Sequence, residues 1–146
     1  MSADKNFDDL AQLISRRVYG GSKGRLRMAV LQRDLQDALP QLMSVEAVPL
    51  SILDAGGGEG WFSEQLATVG HQVTLCDISA VMLAQAKSRM QDKPMKGRVQ
   101  LLQCPLQSLP ADKTYLLILN HAVLEWLEHP QEALEKLFTL LAPEGV

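Results

Sequence analysis

Residues 53–61 read LDAGGGEGW, and four of the five positions from 56 to 60 are glycine. An apolar run and an aspartate stand directly before them. So many glycines cost backbone entropy and leave little side chain to pack. We therefore expect a ligand to come close to the main chain here, and a nucleotide is the first candidate. The stretch predicts a strand, a tight turn and the start of a helix.

The segments around this turn alternate between short apolar runs and helical patterns. Strands are predicted over 50–55, 71–77, 98–104 and 114–120, and helices over 59–70, 80–91 and 130–141. Ser79 is the expected N-cap of the second of these helices. Strands separated by helices imply right-handed crossovers and a parallel sheet. The predicted fold class is therefore α/β, with a doubly wound, mostly parallel, Rossmann-like sheet.

The first 48 residues are predicted to form a helical segment ahead of an α/β core over 49–146. One amphipathic helix is expected over 6–18, a break at YGGSKG (19–24), and a second helix over 25–43. The apolar face of the first helix consists of Phe7, Leu10, Leu13, Ile14 and Val18. The final PEGV is typical of a turn into a further strand, so we expect a single domain truncated after its fourth strand and following helix.

The composition is that of a globular protein, with 47% hydrophobic and 21% charged residues in a chain of 146. No apolar run approaches the roughly 18 residues of a membrane-spanning helix. The polar N-terminus lacks the pattern of a signal peptide, and the expected location is cytoplasmic. Cys76 and Cys104 lie in apolar segments without metal-ligand spacing, which favours reduced thiols over a disulfide or a metal site.

The charge is unevenly distributed along the chain. The net charge is -3, which argues against a surface made for nonspecific nucleic-acid binding. Residues 1–33 nevertheless hold seven basic and three acidic side chains, a local excess of +4. Both a solvated helical face and a phosphate-contacting surface are compatible with this excess.

The spacing of the glycines distinguishes between nucleotide ligands. A dinucleotide fingerprint, G-x-G-x-x-G, would need a third glycine where Trp61 stands, and the Lys-Ser/Thr of a phosphate loop is absent. The sequence does match D-x-G-x-G-x-G, with Asp54, Gly56, Gly58 and Gly60. This resembles motif I of class I S-adenosylmethionine-dependent methyltransferases, in which the glycine loop passes close to the amino-acid end of the cofactor. The resemblance implies that Asp54, Gly56 and Gly58 bind the cofactor. The alternative is a tight turn with incidental glycines.

A second acidic residue, Asp77, ends the second predicted strand. Ligands of α/β proteins bind at the carboxyl edge of the sheet, where a carboxylate accepts hydrogen bonds from both ribose hydroxyls. NAD enzymes also bind the ribose hydroxyls with a carboxylate, so Asp77 supports an adenosine ligand but does not distinguish between the two cofactors. Its alternative role is to cap the next helix, although Ser79 already fills that position.

Five segments carry a closer resemblance, in order along almost the whole chain. They are NFDDLA (6–11), YGGSKGRLR (19–27), LDAGGGEGW (53–61), GHQVTLCDIS (70–79) and HAVLEW (121–126). Together they are similar to the tRNA 5-carboxymethoxyuridine methyltransferases of Gram-negative bacteria. The resemblance implies a class I methyltransferase fold and S-adenosylmethionine as cofactor. It also implies a tRNA partner, in which the carboxylate of 5-carboxymethoxyuridine at the wobble position becomes a methyl ester.

The resemblance also implies cofactor contacts at particular positions, namely Arg27, Gly56, Gly57, Asp77, Ile78, Leu106 and His121. Each has a physical interpretation. Arg27 can hold the methionine carboxylate through a bidentate pair. Leu106 can pack on the adenine, and His121 can contact the amino-acid portion. The alternatives are an exposed helix arginine, a core leucine and a structural histidine.

Some positions depart from general methyltransferase practice. Gln107 stands where an acid often follows the third strand, so the adenine amino group is expected to meet Gln107 or the backbone. Trp126 is compatible with either a wall for a substrate base or a core position. Neither Glu125 nor Trp126 is assigned a catalytic role. The group that binds the acceptor carboxylate is expected beyond residue 146, with much of the tRNA surface.

The expected reaction needs no general base, because a carboxylate is already ionised at pH 7. Alignment and removal of water from the acceptor supply the catalysis. Three alternatives remain open. They are a small-molecule methyltransferase acting on a quinone or a carboxylic acid, a cofactor-binding fragment without activity, and an NAD oxidoreductase.

Overall fold

The structure, a computed structural model, describes Asp4, Asn6 and residues 8–146. Its centre is a sheet of four strands, β1 (Ser51–Ala55), β2 (Gln72–Asp77), β3 (Arg98–Gln103) and β4 (Leu117–Leu119). The sheet is fully parallel, and its strand order is β3-β2-β1-β4. This order places the glycine turn after a central strand. The predicted α/β class and doubly wound parallel sheet are confirmed.

Helices cover both faces of the sheet. They are α3 (Trp61–Val69) and α4 (Ala80–Met90) on one face and α5 (Pro130–Thr139) on the other. Neighbouring residues of β1 point to opposite faces, as the strand period requires. Ile52 packs in a cluster with Leu66 of α3, whereas Leu53 packs in a cluster with Leu137 of α5. Burial on both faces explains why the core strands are short, continuous apolar runs.

The predicted bounds of the core elements hold to within a few residues, and the largest difference is in β4. The sequence predicted a strand over 114–120, but β4 has three residues. Tyr115 instead forms an isolated parallel bridge with Leu141, and the Val146 carbonyl accepts a hydrogen bond from the Ile118 amide. The outer edge of β4 is therefore paired with the segment after α5.

The N-terminal segment is helical, as predicted, but its pattern differs. A 3₁₀ turn (Asp8–Leu10), α1 (Ala11–Ile14), a π turn (Ser15–Tyr19) and α2 (Gly21–Ala38) follow one another. The predicted start of the second helix at residue 25 is wrong, because Gly24 lies inside α2. A Cβ atom there would lie 2.5 Å from the Tyr19 carbonyl oxygen, so this glycine permits close packing of the backbone. The predicted end at 43 is also wrong, since Pro40 disfavours helical backbone at residue 39.

The structure describes only part of the apolar face that was predicted for the first helix. Phe7 lies outside the described residues, and so do the side chains of Ile14 and Val18. Leu10 and Leu13 are each 43% exposed, which is high for core positions. No helix among the described residues is both long and apolar enough to cross a membrane.

His71 anchors the end of the N-terminal segment to the sheet through hydrogen bonds. Its ring is fully buried; Nδ1 accepts a hydrogen bond from the Leu50 amide at 3.0 Å, and Nε2 lies 2.6 Å from the Leu42 carbonyl oxygen. Because Nδ1 accepts, Nε2 carries the proton and donates to Leu42. Leu42 itself is buried in the cluster around Ile52.

Candidate active site

A cavity of about 690 Å³ lies at the carboxyl edge of the sheet, beneath the N-terminal segment. Its size is within the range of about 300–1,000 Å³ that is usual for ligand sites. The N-terminal segment contributes Leu10, Leu13, Arg17, Tyr19 and Arg27 to the wall. The core contributes residues that follow all four strands, including Gly56, Gly58, Asp77, Ile78, Leu106 and His121. Both regions of the chain are therefore needed to enclose the site.

The glycine turn after β1 approaches neighbouring groups too closely for side chains. Gly56 and Gly58 have φ angles of 75° and 56°, in the left-handed region that favours glycine. The Gly56 amide donates to the Cys76 carbonyl at 2.7 Å, which ties the turn to β2. At Gly57 a Cβ atom would overlap the Leu75 side chain and lie 2.5 Å from Asp54 Cγ. Gly56 and Gly58 thus present bare backbone to the cavity, whereas Gly57, a predicted cofactor contact, does not line it.

Asp54 lies beneath this turn and does not line the cavity. The Ser63 hydroxyl donates to its Oδ2 at 2.7 Å, and the residue is only 6% exposed. Burial raises the pKa of the Asp54 carboxyl to about 6, although the Ser63 hydrogen bond opposes the shift. Asp54 was predicted to bind the cofactor. Its position indicates an indirect role, in which it supports the turn.

Asp77 ends β2 and faces the cavity. Its Oδ1 accepts from the Ser79 amide at 2.9 Å, and its Oδ2 accepts from the Gly58 amide at 3.0 Å. Burial raises the pKa of this carboxyl, while these backbone hydrogen bonds lower it. Each oxygen keeps acceptor capacity, since a carboxylate has about four lone-pair sites. The arrangement is suited to a pair of hydroxyl donors.

The N-terminus of α4 is capped by Ser79, as predicted, so Asp77 is available for another purpose. The Ser79 Oγ accepts from the Met82 amide at 3.1 Å and donates to Asp8 at 2.6 Å. Asp8 also accepts from the Val81 amide at 3.1 Å. The N-terminal segment is thus hydrogen-bonded to the core two residues away from Asp77.

The wall after β3 is apolar. Leu106 is 4% exposed and lines the cavity from a 3₁₀ turn (Leu106–Ser108). Gln107, predicted as one possible adenine contact, does not line the cavity. Its Nε2 donates to Asp4 at 3.3 Å, while its buried Oε1 has no hydrogen-bond partner among the described residues. An unpaired buried acceptor indicates a donor that is supplied from elsewhere.

The wall after β4 brings His121 close to Arg27 and Glu125. Burial lowers the pKa of His121, the Arg27 charge lowers it further, and Glu125 opposes both. The imidazole is therefore neutral at pH 7. Arg27 and His121 thus lie near each other in the cavity wall, and their roles in cofactor binding stay predictions.

Tyr19 is a wall residue that the sequence analysis missed. Burial raises the pKa of its hydroxyl to about 12, and the charges of Asp54, Glu59 and Asp77 add to the shift. The hydroxyl stays protonated and can donate into the cavity. The sequence feature that could have indicated this position is an aromatic residue directly before Gly20 and Gly21. That pattern alone does not show which way the ring points.

The cysteines and other metal-binding side chains do not form a metal centre in the described part of the chain. Cys76 and Cys104 are both free thiols, with their sulfur atoms 3.6 Å apart. Within the residues described, no group of three or more His, Cys, Asp or Glu side chains is arranged to hold an ion.

The fold and the glycine turn define a methyltransferase domain, and comparison with known proteins agrees. The methyltransferase domain family matches residues 53–146, and the chain belongs to this family. Among curated proteins it is 42% identical over 145 residues to the tRNA 5-carboxymethoxyuridine methyltransferase of Escherichia coli K12, covering 98% of this chain and 54% of that protein. The chain spans about half the length of the curated relatives it matches. This identity confirms the resemblance of the five segments.

Other relatives are more distant. The malonyl-[acyl-carrier protein] O-methyltransferase of Pectobacterium atrosepticum is 34% identical over 121 residues, covering 82% of this chain and 45% of that protein. The magnesium protoporphyrin IX methyltransferase of Synechocystis, solved with bound SAH, has a TM-score of 0.74 at 24% identity over 92% of this chain and 64% of that one. NodS of Bradyrhizobium japonicum gives 0.73 at 18% identity, covering 97% and 70%. These two structures support the fold.

Proposed function

We propose that the protein transfers a methyl group from S-adenosylmethionine to the carboxylate of 5-carboxymethoxyuridine at the tRNA wobble position. The observation that carries the proposal is the 42% identity, along 98% of this chain, to a tRNA 5-carboxymethoxyuridine methyltransferase. The product is the methyl ester. Since tRNA is a cytoplasmic substrate, we propose a cytoplasmic location as well.

The cavity fits the cofactor in its shape and its polar groups. Gly56 and Gly58 line the cavity with bare backbone, so no side chain of the turn fills the space for the cofactor. Asp77 has acceptor capacity for the two ribose hydroxyls, with Ile78 beside it. Leu106 offers an apolar surface to the adenine, and the backbone beside it can accept from the amino group, since Gln107 does not line the cavity. Arg27 provides a planar, bidentate donor for the methionine carboxylate.

The residues of the chain align and desolvate the reactants. When bound, the cofactor supplies an activated methyl group: an acceptor carboxylate oxygen bonds to the methyl carbon as the carbon–sulfur bond breaks, both charges are neutralised, and no proton is released. A neutral His121 adds no second positive charge beside the sulfonium. The N-terminal segment closes over the sheet edge and excludes water, which strengthens alignment and removes solvent from the acceptor.

The test is methylation of purified tRNA by the full-length protein. The tRNA is isolated with 5-carboxymethoxyuridine at the wobble position, incubated with S-adenosylmethionine, digested, and analysed by mass spectrometry. We expect the methyl ester of 5-carboxymethoxyuridine and no product from the same tRNA with uridine at that position. Absence of the ester from the first tRNA would contradict the proposal. Binding of S-adenosylhomocysteine without any transfer would support the cofactor-binding alternative.

A second candidate has its own observation. Several curated relatives are malonyl-[acyl-carrier protein] O-methyltransferases, at 25–34% identity. Their names also imply an acceptor with a free carboxylate, and a carboxylic acid was among the small-molecule alternatives. Turnover of a malonyl thioester with no turnover of tRNA would favour this function. A thermal shift with NADH and none with S-adenosylhomocysteine would favour an oxidoreductase instead.

A further inference from the structure

The proposed function requires a cation for the acceptor, because a carboxylate entering the cavity meets like charges. Asp4, Asp77 and Glu125 all line the same cavity. Asp4 is engaged by the Glu128 amide at 2.8 Å and by Gln107 at 3.3 Å. Asp77 is held by the glycine turn. A further carboxylate is disfavoured in such surroundings unless a positive charge lies beside it.

Arg17 lines the cavity and is not assigned to the cofactor. Of the lysines and arginines in the described chain, two line the cavity, Arg17 and Arg27. Arg27 lies within electrostatic reach of His121 and Tyr19 and is assigned to the methionine carboxylate. Arg17 is exposed and forms no ion pair with the described residues. Its guanidinium is therefore available to a second carboxylate, in the bidentate geometry that arginine favours.

The local backbone directs Arg17 into the cavity together with Tyr19. Residues two positions apart do not share a face of an α-helix. Both nevertheless line the cavity, from the π turn Ser15–Tyr19 that ends at the bend of Gly20. Single π turns are frequent at functional sites. The neighbouring Arg16 is also exposed but does not line the cavity.

Trp126 provides the second element of an acceptor site. It lies in a 3₁₀ turn (Leu124–Trp126) after β4, is 42% exposed, and lines the cavity. The Trp126 amide donates to the Val123 carbonyl at 2.9 Å, which fixes the turn. A partly exposed indole can stack on any nucleobase, because every base has a π face.

We propose that Arg17 binds the acceptor carboxylate and that Trp126 stacks on the base that carries it. This inference rests on the proposed function, because it takes 5-carboxymethoxyuridine as the acceptor. It also replaces the expectation that the carboxylate-binding group lies beyond residue 146. The acceptor site is then formed by the π turn on one side and the turn after β4 on the other.

The test compares two tRNAs that differ only at the wobble position, one with 5-carboxymethoxyuridine and one with uridine. Their dissociation constants are measured with the full-length protein saturated with S-adenosylhomocysteine, for the wild type, Arg17→Gln and Arg16→Gln. The wild type and Arg16→Gln should prefer the carboxylate-bearing tRNA. Arg17→Gln should lose at least tenfold of that preference, since hydrogen bonds to a charged group disappear. S-adenosylhomocysteine binding by each variant verifies that it is folded.

The alternatives give different results. If Arg17 contacts a phosphate instead, Arg17→Gln weakens both tRNAs equally and the preference stays, which would overturn the assignment. Arg17→Lys keeps the charge and should recover only part of the preference.

The Trp126 assignment is tested with two variants. Trp126→Ala should weaken the binding of both tRNAs at least tenfold, while Trp126→Phe should retain most of the affinity. Equal affinities for the two variants and the wild type would remove Trp126 from the site. Failure of the wild type to methylate tRNA would contradict the proposed function itself, whereas methylation with an unchanged preference in Arg17→Gln would contradict this inference alone.

Discussion

The α/β core and the N-terminal segment contribute equally necessary parts of one cavity, yet they are held in place by different means. In the core, Ile52 and Leu53 of β1 are fully buried and pack on opposite faces of the sheet. In the N-terminal segment, α2 buries just two of its 18 residues, Gly24 and Met28, and Leu26 is 66% exposed. The core is stabilised by apolar burial, whereas the segment depends on a few anchors.

The two regions hold their parts of the site with different rigidity. Apolar burial makes the glycine turn and Asp77 rigid, because they end strands inside the core. The segment is attached near the site through Asp8, which bonds to Ser79 and the Val81 amide. Elements with few buried contacts open at lower free energy than core strands. We therefore expect mutations in the core to change global stability and mutations in the segment to change the closure of the cavity.

The largest effect is expected at Gly57, in the core. Alanine there would place a Cβ atom 2.5 Å from Asp54 Cγ and into the Leu75 side chain, so we expect a loss of about 3 kcal/mol in the free energy of unfolding. The matched control is Gly21→Ala in the segment, where no atom lies within 4 Å and only the φ of 68° is unfavourable, at about 1 kcal/mol. Urea denaturation measures both. Equal losses would contradict the distinction between the two regions.

The next effect is a pH dependence at Asp54. Its folded-state pKa of about 6 exceeds the ordinary 3.8, so the group stabilises the fold below pH 4 and loses that contribution as pH rises through about 6. Asp54→Asn removes the titrating group. Relative to the wild type, the variant should gain about 2 kcal/mol in unfolding free energy between pH 4.5 and pH 7.5. A difference that stays constant between these pH values would show that Asp54 titrates normally.

A smaller and more local effect is expected at Asp8, in the segment. Asp8→Ala should leave the global unfolding free energy nearly unchanged but speed amide exchange over 8–20, since the bonds to Ser79 and Val81 are lost. The same bonds hold the pKa of Asp8 below its usual range, so in the wild type the contact persists above pH 4 and is lost as pH falls through that lowered pKa. Hydrogen-exchange mass spectrometry measures the effect, and Asp9→Ala, at an exposed neighbour, is the control. Equal protection in the two variants would remove Asp8 as an anchor.

The same difference explains how far the sequence could predict the structure. Strands and helices of the core follow from local apolar patterns, and the cap at Ser79 and the position of Asp77 follow from their neighbours in sequence. The π turn and the direction of Arg17 belong to a segment that docks on the core through distant partners, such as Asp8 and Ser79, which are 71 positions apart. No local pattern contains such a contact. Gly24 was taken as a helix break because glycine spacing alone does not distinguish an interruption from close backbone packing against Tyr19. The indirect place of Asp54 also depends on tertiary packing, against Ser63.

Calorimetric titration of S-adenosylhomocysteine tests most directly whether the two regions form one cofactor site. The wild type is compared with Asp77→Ala in the core and Arg27→Ala in the segment. We expect each variant to bind more than tenfold more weakly, a loss above about 1.4 kcal/mol, because each removes hydrogen bonds to a charged group. An unchanged dissociation constant for Arg27→Ala, with Asp77→Ala weakened, would show that the core binds the cofactor without the N-terminal segment and would contradict the account.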